Sequence, residues 1–235
     1  MRYYRMRKRK KKILLPINIG IGLLFALFLI SLGLILAIHL RFLYYADIKW
    51  FDLEQTTGLS FQEIKANYDA LIDYNSPFFH GDLVFPTLPS SAAGLSHFAE
   101  VKVLFQFFYV SFAITFVALI GIVLYQRKKE QYQYLRVASI TSIVLPVITL
   151  VGCSIDFEAS FTFLHKLFFR NDDWLFDPVT DPIITLLPAQ FFLQCAIVIA
   201  TVVILGSLIL YLRYRHYKKI DRATPLVLPK VNYFY

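Results

Sequence analysis

The chain has 235 residues, of which 57% are hydrophobic and only 17% charged, and its formal net charge is +8. That composition excludes a disordered chain and an ordinary water-soluble domain, and it places the protein among integral membrane proteins. The positive charge does not mark a nucleic-acid binder, because the Lys and Arg residues hug the ends of apolar runs and form no basic domain of their own.

In chain order, residues 1–13 are a basic N-terminus and the first apolar run covers 14–40. The basic start imitates a secretory signal. The apolar stretch is too long for one, and no small-x-small cleavage pattern follows, so it reads as a retained first span. Residues 41–102 are too many for a simple connector. Within them SFQEIKANYDALIDYN predicts a helix: Ser60 and Glu63 form a capping-box pattern, and Phe61, Ile64, Tyr68, Leu71 and Ile72 recur at helical spacing. SPFFHGDLVFPTLPS is broken by Pro and Gly and is expected to be irregular or short strand. SAAGLSHFAEVKVLF then predicts a helix that begins before the second apolar run, 103–125, and continues into it.

A basic loop, 126–136, leads to the third run, 137–155. In the next segment, 156–190, DFEASFTFLHKLFF predicts a helix after Asp156 with a stop near Asn171. Asp177-Pro178 and Asp181-Pro182 each offer a helix N-cap followed by a proline at the first helical position. The fourth run covers 191–212, and a basic tail, 213–235, follows it.

Each of the four runs is long enough to cross roughly 30 Å of hydrocarbon as a helix. The expected fold is therefore an all-α membrane protein. Four transmembrane helices would carry a small extracytoplasmic cap, built from 41–102 and 156–190, of short helices and irregular or short β segments. Residues 1–12, the 126–136 loop and the tail hold 18 of the 24 basic residues, whereas the two larger loops hold six basic and fourteen acidic ones. This bias predicts that both termini are cytoplasmic and that the cap faces out.

Cys153 and Cys195 both lie in expected spans without C-x-x-C spacing, and they read as small packing residues. Of five histidines, His216 lies in the basic tail, His39 ends the first span and His80 sits in the irregular segment. His97 and His165 differ from these: each lies near an outer membrane boundary on an aromatic-rich helix. No G-x-S-x-G elbow, HExxH signature or outward-facing cysteine occurs. The inventory suits a reaction that needs two acid/base groups and no protein nucleophile; a structural hydrogen bond is the competing account of either imidazole.

Glu100 lies three residues after His97 and reads either as the carboxylate that orients an imidazole or as a plain surface acid. Phe157, Phe168, Phe169, Trp174, Phe191 and Phe192 read as a pocket wall, as an interfacial belt, or as both. Two other function classes compete. One is a non-catalytic membrane component, a scaffold or a transporter subunit; a transporter would show polar residues at mid-span, where this chain offers few beyond Gln106, several Ser and Thr and two prolines. A metal-dependent lipid hydrolase would draw on His80, His97, His165 and the cap aspartates.

GLSHFAEVKVLF and FTFLHKLFFRNDDWLFDPVTDPIITLLPAQFF resemble segments of the lipoprotein intramolecular transacylases, four-span bacterial membrane enzymes. The second segment follows the family pattern over some thirty residues. The first departs from it, with Phe98 in place of a leucine and Glu100 in place of an aspartate. NYDALIDY is similar to a third element of the family. The resemblance implies that His97 and His165 are catalytic and leaves open which of them is the base. Glu100, Asp177, Asp181, Asn67 and Tyr68 would support them, and Tyr74 would join the aromatic pocket. No metal and no cofactor are expected. The implied substrate is a diacylated bacterial lipoprotein with a free N-terminal cysteine amine, held among membrane lipids. Its acyl chain would move from the glyceryl sn-2 oxygen to that amine at the outer leaflet, giving a lyso-form lipoprotein.

Overall fold

A long apolar run must satisfy its own backbone hydrogen bonds, and a helix does so within one segment. In the computed structural model, which describes residues 15–223, the chain runs in order through α1 (Leu15–His39), α2 (Arg41–Trp50), α3 (Leu53–Thr57) and α4 (Phe61–Tyr74). There follow α5 (Ala92–Lys128), α6 (Gln133–Ile155), α7 (Phe157–Phe168), a 3-10 turn at Pro182–Leu186 and α8 (Ala189–Ala223). The four apolar runs lie on α1, α5, α6 and α8, each long and apolar enough to cross a membrane. Most of the basic N-terminus and tail lies outside the described residues. No strand occurs among the described residues, so the segment between α4 and α5 is irregular rather than β.

Helices α1, α6 and α8 pack against one another, and α5 leans on α1. Glycines let α1 and α8 approach backbone to backbone. A Cβ at Gly33 would stand 3.0 Å from Ile199 Cα, and one at Gly206 would overlap the Leu29 side chain. Helix α5 has 37 residues, or about 55 Å of length, well beyond the hydrocarbon thickness. Its first turns therefore overhang the bundle and become part of the cap.

The cap is built on aromatic packing. Tyr44 on α2 stacks on Tyr68 of α4 with ring centroids 3.6 Å apart, and Phe191 of α8 meets both rings edge-on. The Tyr44 hydroxyl donates to the Leu186 carbonyl at 2.8 Å, tying α2 to the 3-10 turn. Gln194 of α8 donates to the buried Asp47 carboxyl at 2.9 Å, which joins cap to bundle. Helix α4 starts as its sequence predicts. Ser60 Oγ accepts the Glu63 amide, and Glu63 accepts the Ser60 amide at 2.8 Å.

The two Asp-Pro pairs behave differently from the expected helix caps. Asp177 is exposed, accepts the Val179 amide at 2.9 Å and closes a turn that no helix continues. Asp181 does precede the 3-10 turn, but its carboxylate makes no bond to that turn. It crosses instead to the start of α5, accepting the Ser91 amide at 2.7 Å while Thr180 donates to its other oxygen at 2.9 Å. Ser91 in turn caps α5 by accepting the Gly94 amide at 2.9 Å. A Cβ at residue 94 would overlap the Asp181 carboxylate, so the carboxylate needs this glycine. A negative group at a helix N-terminus is favoured by the helix dipole.

Asp181→Ala removes a buried acceptor and strands the Ser91 amide. We expect a loss of about 1–3 kcal/mol, read as a lower Tm and as faster amide exchange across residues 88–96, with exchange in the middle of α1 and α8 unchanged.

Candidate active site

Two helical stripes bring the site together. On α5, His97, Val101, Leu104 and Phe108 recur at spacings of three and four residues, and all four line one cavity beneath the cap. On α7, Phe157, Phe161, His165 and Phe168 do the same against the opposite wall. Asp156 sets the second stripe. It ends α6 in extended conformation and caps α7 by accepting the Ala159 amide at 2.9 Å, so the chain restarts in a new direction. The cavity encloses about 510 Å³ and its walls are overwhelmingly apolar.

The His97 and His165 ring centroids are 5.9 Å apart. Aromatic rings close around the pair. Phe169 lies 4.7 Å from His97 and 5.6 Å from His165, Phe176 lies 5.4 Å from His97, and Trp174 lies 5.0 Å from His165. Phe161 sits 3.9 Å from the His165 ring, and its carbonyl accepts a hydrogen bond from His165 Nδ1 at 2.8 Å. A carbonyl can only accept, so Nδ1 carries the proton and neutral His165 presents an unprotonated Nε2. Burial pushes the His165 imidazole below its ordinary value of 6.5, an effect the Phe161 carbonyl partly offsets. His97 is buried, and its Nδ1 has no partner among the described residues.

Glu100 meets neither imidazole. It accepts from Asn171 Nδ2 at 2.9 Å. Asn171 also accepts the Asp173 amide through its side chain, at 3.2 Å, and the Trp174 indole N–H through its carbonyl, at 3.0 Å. Glu100 thus fixes the loop that holds Trp174 against His165. Asn67 is fully buried and binds the segment before α5: Nδ2 donates to Thr87 Oγ1 at 2.6 Å and Oδ1 accepts the Thr87 amide at 3.2 Å. Tyr68 lines the cavity, as do Phe157, Phe168, Phe169, Trp174, Phe191 and Phe192.

Tyr74 lies outside the cavity, with its ring 4.1 Å from the Lys102 ammonium. Asp177 and Asp181 also stand outside it, the second acting through the start of α5. His80 is exposed, and among the described residues no three His, Cys, Asp or Glu side chains converge as metal ligands would. Sequence reasoning missed the roles of Phe161, Phe176 and Asn171. The spacing of four residues between Phe161 and His165 was the available signal for the first; the other two depend on how the loop folds back.

Breaking the loop tie should move Trp174, which is half-buried. In a Trp50→Phe background, where Trp174 is the remaining tryptophan, Asn171→Ala is expected to red-shift the emission. Glu100→Gln keeps an oxygen to accept from Asn171 and should leave the emission in place.

Comparison with known proteins bears on this geometry. The family model described as lipoprotein intramolecular transacylase Lit matches residues 19–192. A search of curated proteins returns no match. The structure of the membrane-integral lipoprotein intramolecular transacylase Lit from Bacillus cereus is 34% identical, with a TM-score of 0.85 over 89% of this chain and 97% of that one. Two further structures of the Bacillus cereus protein carry a histidine replaced by arginine or by alanine. The first is 34% identical with a TM-score of 0.79 over 88% and 92% of the two chains; the second is 36% identical with a TM-score of 0.78 over 89% and 95%. With this coverage of sequence and fold, the chain belongs to the lipoprotein intramolecular transacylase family.

Proposed function

We propose that this protein moves an acyl chain within a bacterial lipoprotein, from the glyceryl sn-2 ester oxygen to the α-amine of the N-terminal S-diacylglyceryl cysteine. The observation that carries this reading is the pair of imidazoles, with ring centroids 5.9 Å apart, in an apolar, aromatic-walled cavity. The substrate supplies its own nucleophile. Its amine attacks the ester carbonyl through a ring made of the carbonyl carbon, ester oxygen, two glyceryl carbons, sulfur, Cβ, Cα and nitrogen. Such a ring closes poorly in a flexible lipid. Orientation is therefore the main task, and it can supply up to roughly 7–11 kcal/mol.

His165 suits the base. With Nδ1 committed to the Phe161 carbonyl, its free Nε2 accepts the proton that the amine sheds on attack. His97 then serves the oxygen side, donating its N–H to the carbonyl oxygen as charge builds, and the imidazolium formed at His165 returns its proton to the departing glyceryl oxygen, so both imidazoles end neutral. The ester C–O bond breaks, the amide C–N bond forms and a glyceryl hydroxyl remains, so total mass is unchanged. Nothing in this sequence of steps calls for a metal or cofactor. Asn67, Glu100 and Asp181 act as positioning residues, holding the walls and the start of α5. The charge bias supports a topology with both termini in the cytoplasm and the cavity at the outer leaflet, where a diacylated lipoprotein would present its N-terminus.

Tandem mass spectrometry of lipoprotein N-termini, from cells with and without the protein, tests the reading: one chain should shift from ester to amide at constant mass. His97→Ala and His165→Ala should each lower turnover by about 10²–10⁴-fold while still inserting into membranes. Normal conversion by both variants contradicts the mechanism.

The pH dependence has a fixed sign. The base works as neutral imidazole, so activity is present above the His165 pKa and lost as pH falls through it. Because burial lowers that pKa, the limb set by the enzyme should lie below 6.5, separate from the limb of the substrate's own amine, which must also be neutral and titrates at about 7.7–8.0 when free.

A further inference from the structure

The cavity does not stop at the histidines. On α1 it runs along Ile38, Leu34 and Ile30, and on α8 along Phe192, Ala196 and Ala200, one turn at a time. At about 1.5 Å per residue both stripes descend about 12 Å, which from the cap end carries them to the middle of their spans. Pro146 of α6 closes the third side. Below this level the helices leave no room: Leu29 lies over Gly206 and Val203 is fully buried. Small side chains open the channel, and larger ones on the same helices seal it.

We propose that this lower channel is an acyl-chain slot, and that its floor at Ile30, Pro146 and Ala200 sets the length of chain the enzyme accepts. The inference rests on the transacylase reading and adds a specificity determinant to it. An acyl chain matches the slot in three respects. The walls are apolar, the channel follows the helix axes as a chain in a leaflet does, and its upper end opens beside His97 and His165. A chain that reaches the floor buries every methylene it has room for, and a longer chain must buckle or leave its end in the site. The floor therefore discriminates on length at the far end of the substrate, and the histidines see the result as a carbonyl in or out of place.

The test uses the full-length protein in detergent or nanodiscs. Synthetic S-diacylglyceryl lipopeptides with dodecanoyl or hexadecanoyl chains serve as substrates. Dialkyl ether analogues of both lengths, which cannot transfer a chain, serve as binding probes. Ala200→Leu raises the floor and should lower kcat/KM for the hexadecanoyl substrate by about tenfold relative to the dodecanoyl one. Ile30→Ala, which only creates space, should shift the ratio toward the longer chain. Ile197→Phe, on the lipid-facing side of α8, should leave the ratio unchanged. Equal loss on both lengths in Ala200→Leu, together with an unchanged ratio in Ile30→Ala, overturns the slot. If the ether analogues show the length-dependent binding shift while no ester is converted, the slot stands and the transacylation reading falls.

Discussion

The start of α5 is the joint on which the cap end depends. The Asp181 carboxylate receives the Ser91 amide there, against a glycine that leaves it room, one turn before His97. The same contact fixes where the second loop rests, because Asp181 belongs to that loop. From there the loop runs back through Phe176 and Trp174 to the end of α7, which carries His165. One charged hydrogen bond thus fixes the relative position of two elements distant in sequence. The Glu100–Asn171 bond adds a second tie between them, lower on α5.

The rest follows from placing polar groups in an apolar setting. A cavity walled by aromatic and aliphatic side chains raises the cost of charge, so imidazoles there stay neutral and reactive near ordinary pH. Hydrogen bonds in such a site are strong when made and costly when missing. His165 has used one nitrogen on its own helix. The buried Nδ1 of His97 has no such partner among the described residues, so the two imidazoles sit in different hydrogen-bonding environments.

Much of the fold is legible in the sequence alone. The four apolar runs, the α4 capping box and the overhang of α5 are properties of short stretches, and their physics is local. His97 and His165 stood out for the same reason, as ionisable groups on aromatic helices at a membrane boundary. Helix α2 was not legible, because RFLYYADIKW mixes charge and aromatics in a way that becomes an amphipathic face only beside α4 and α8. The roles of Asp181 and Glu100 were misplaced because sequence reasoning pairs near neighbours. Asp181 pairs with Pro182 in sequence but bonds Ser91 in the fold, and Glu100 pairs with His97 in sequence but bonds Asn171. The family resemblance puts Tyr74 in the pocket, yet its ring lies against Lys102 and outside the cavity lining.

In the proposed reaction both ends of the transferred bond belong to one substrate molecule held in one cavity. A crossover measurement addresses it directly. A lipopeptide bearing isotopically heavy acyl chains and a heavy peptide is mixed with its fully light counterpart, and the purified protein is added. Transfer within one molecule predicts amide products that are wholly heavy or wholly light at every conversion. Products that join a heavy acyl chain to a light peptide would show transfer between molecules and contradict the account.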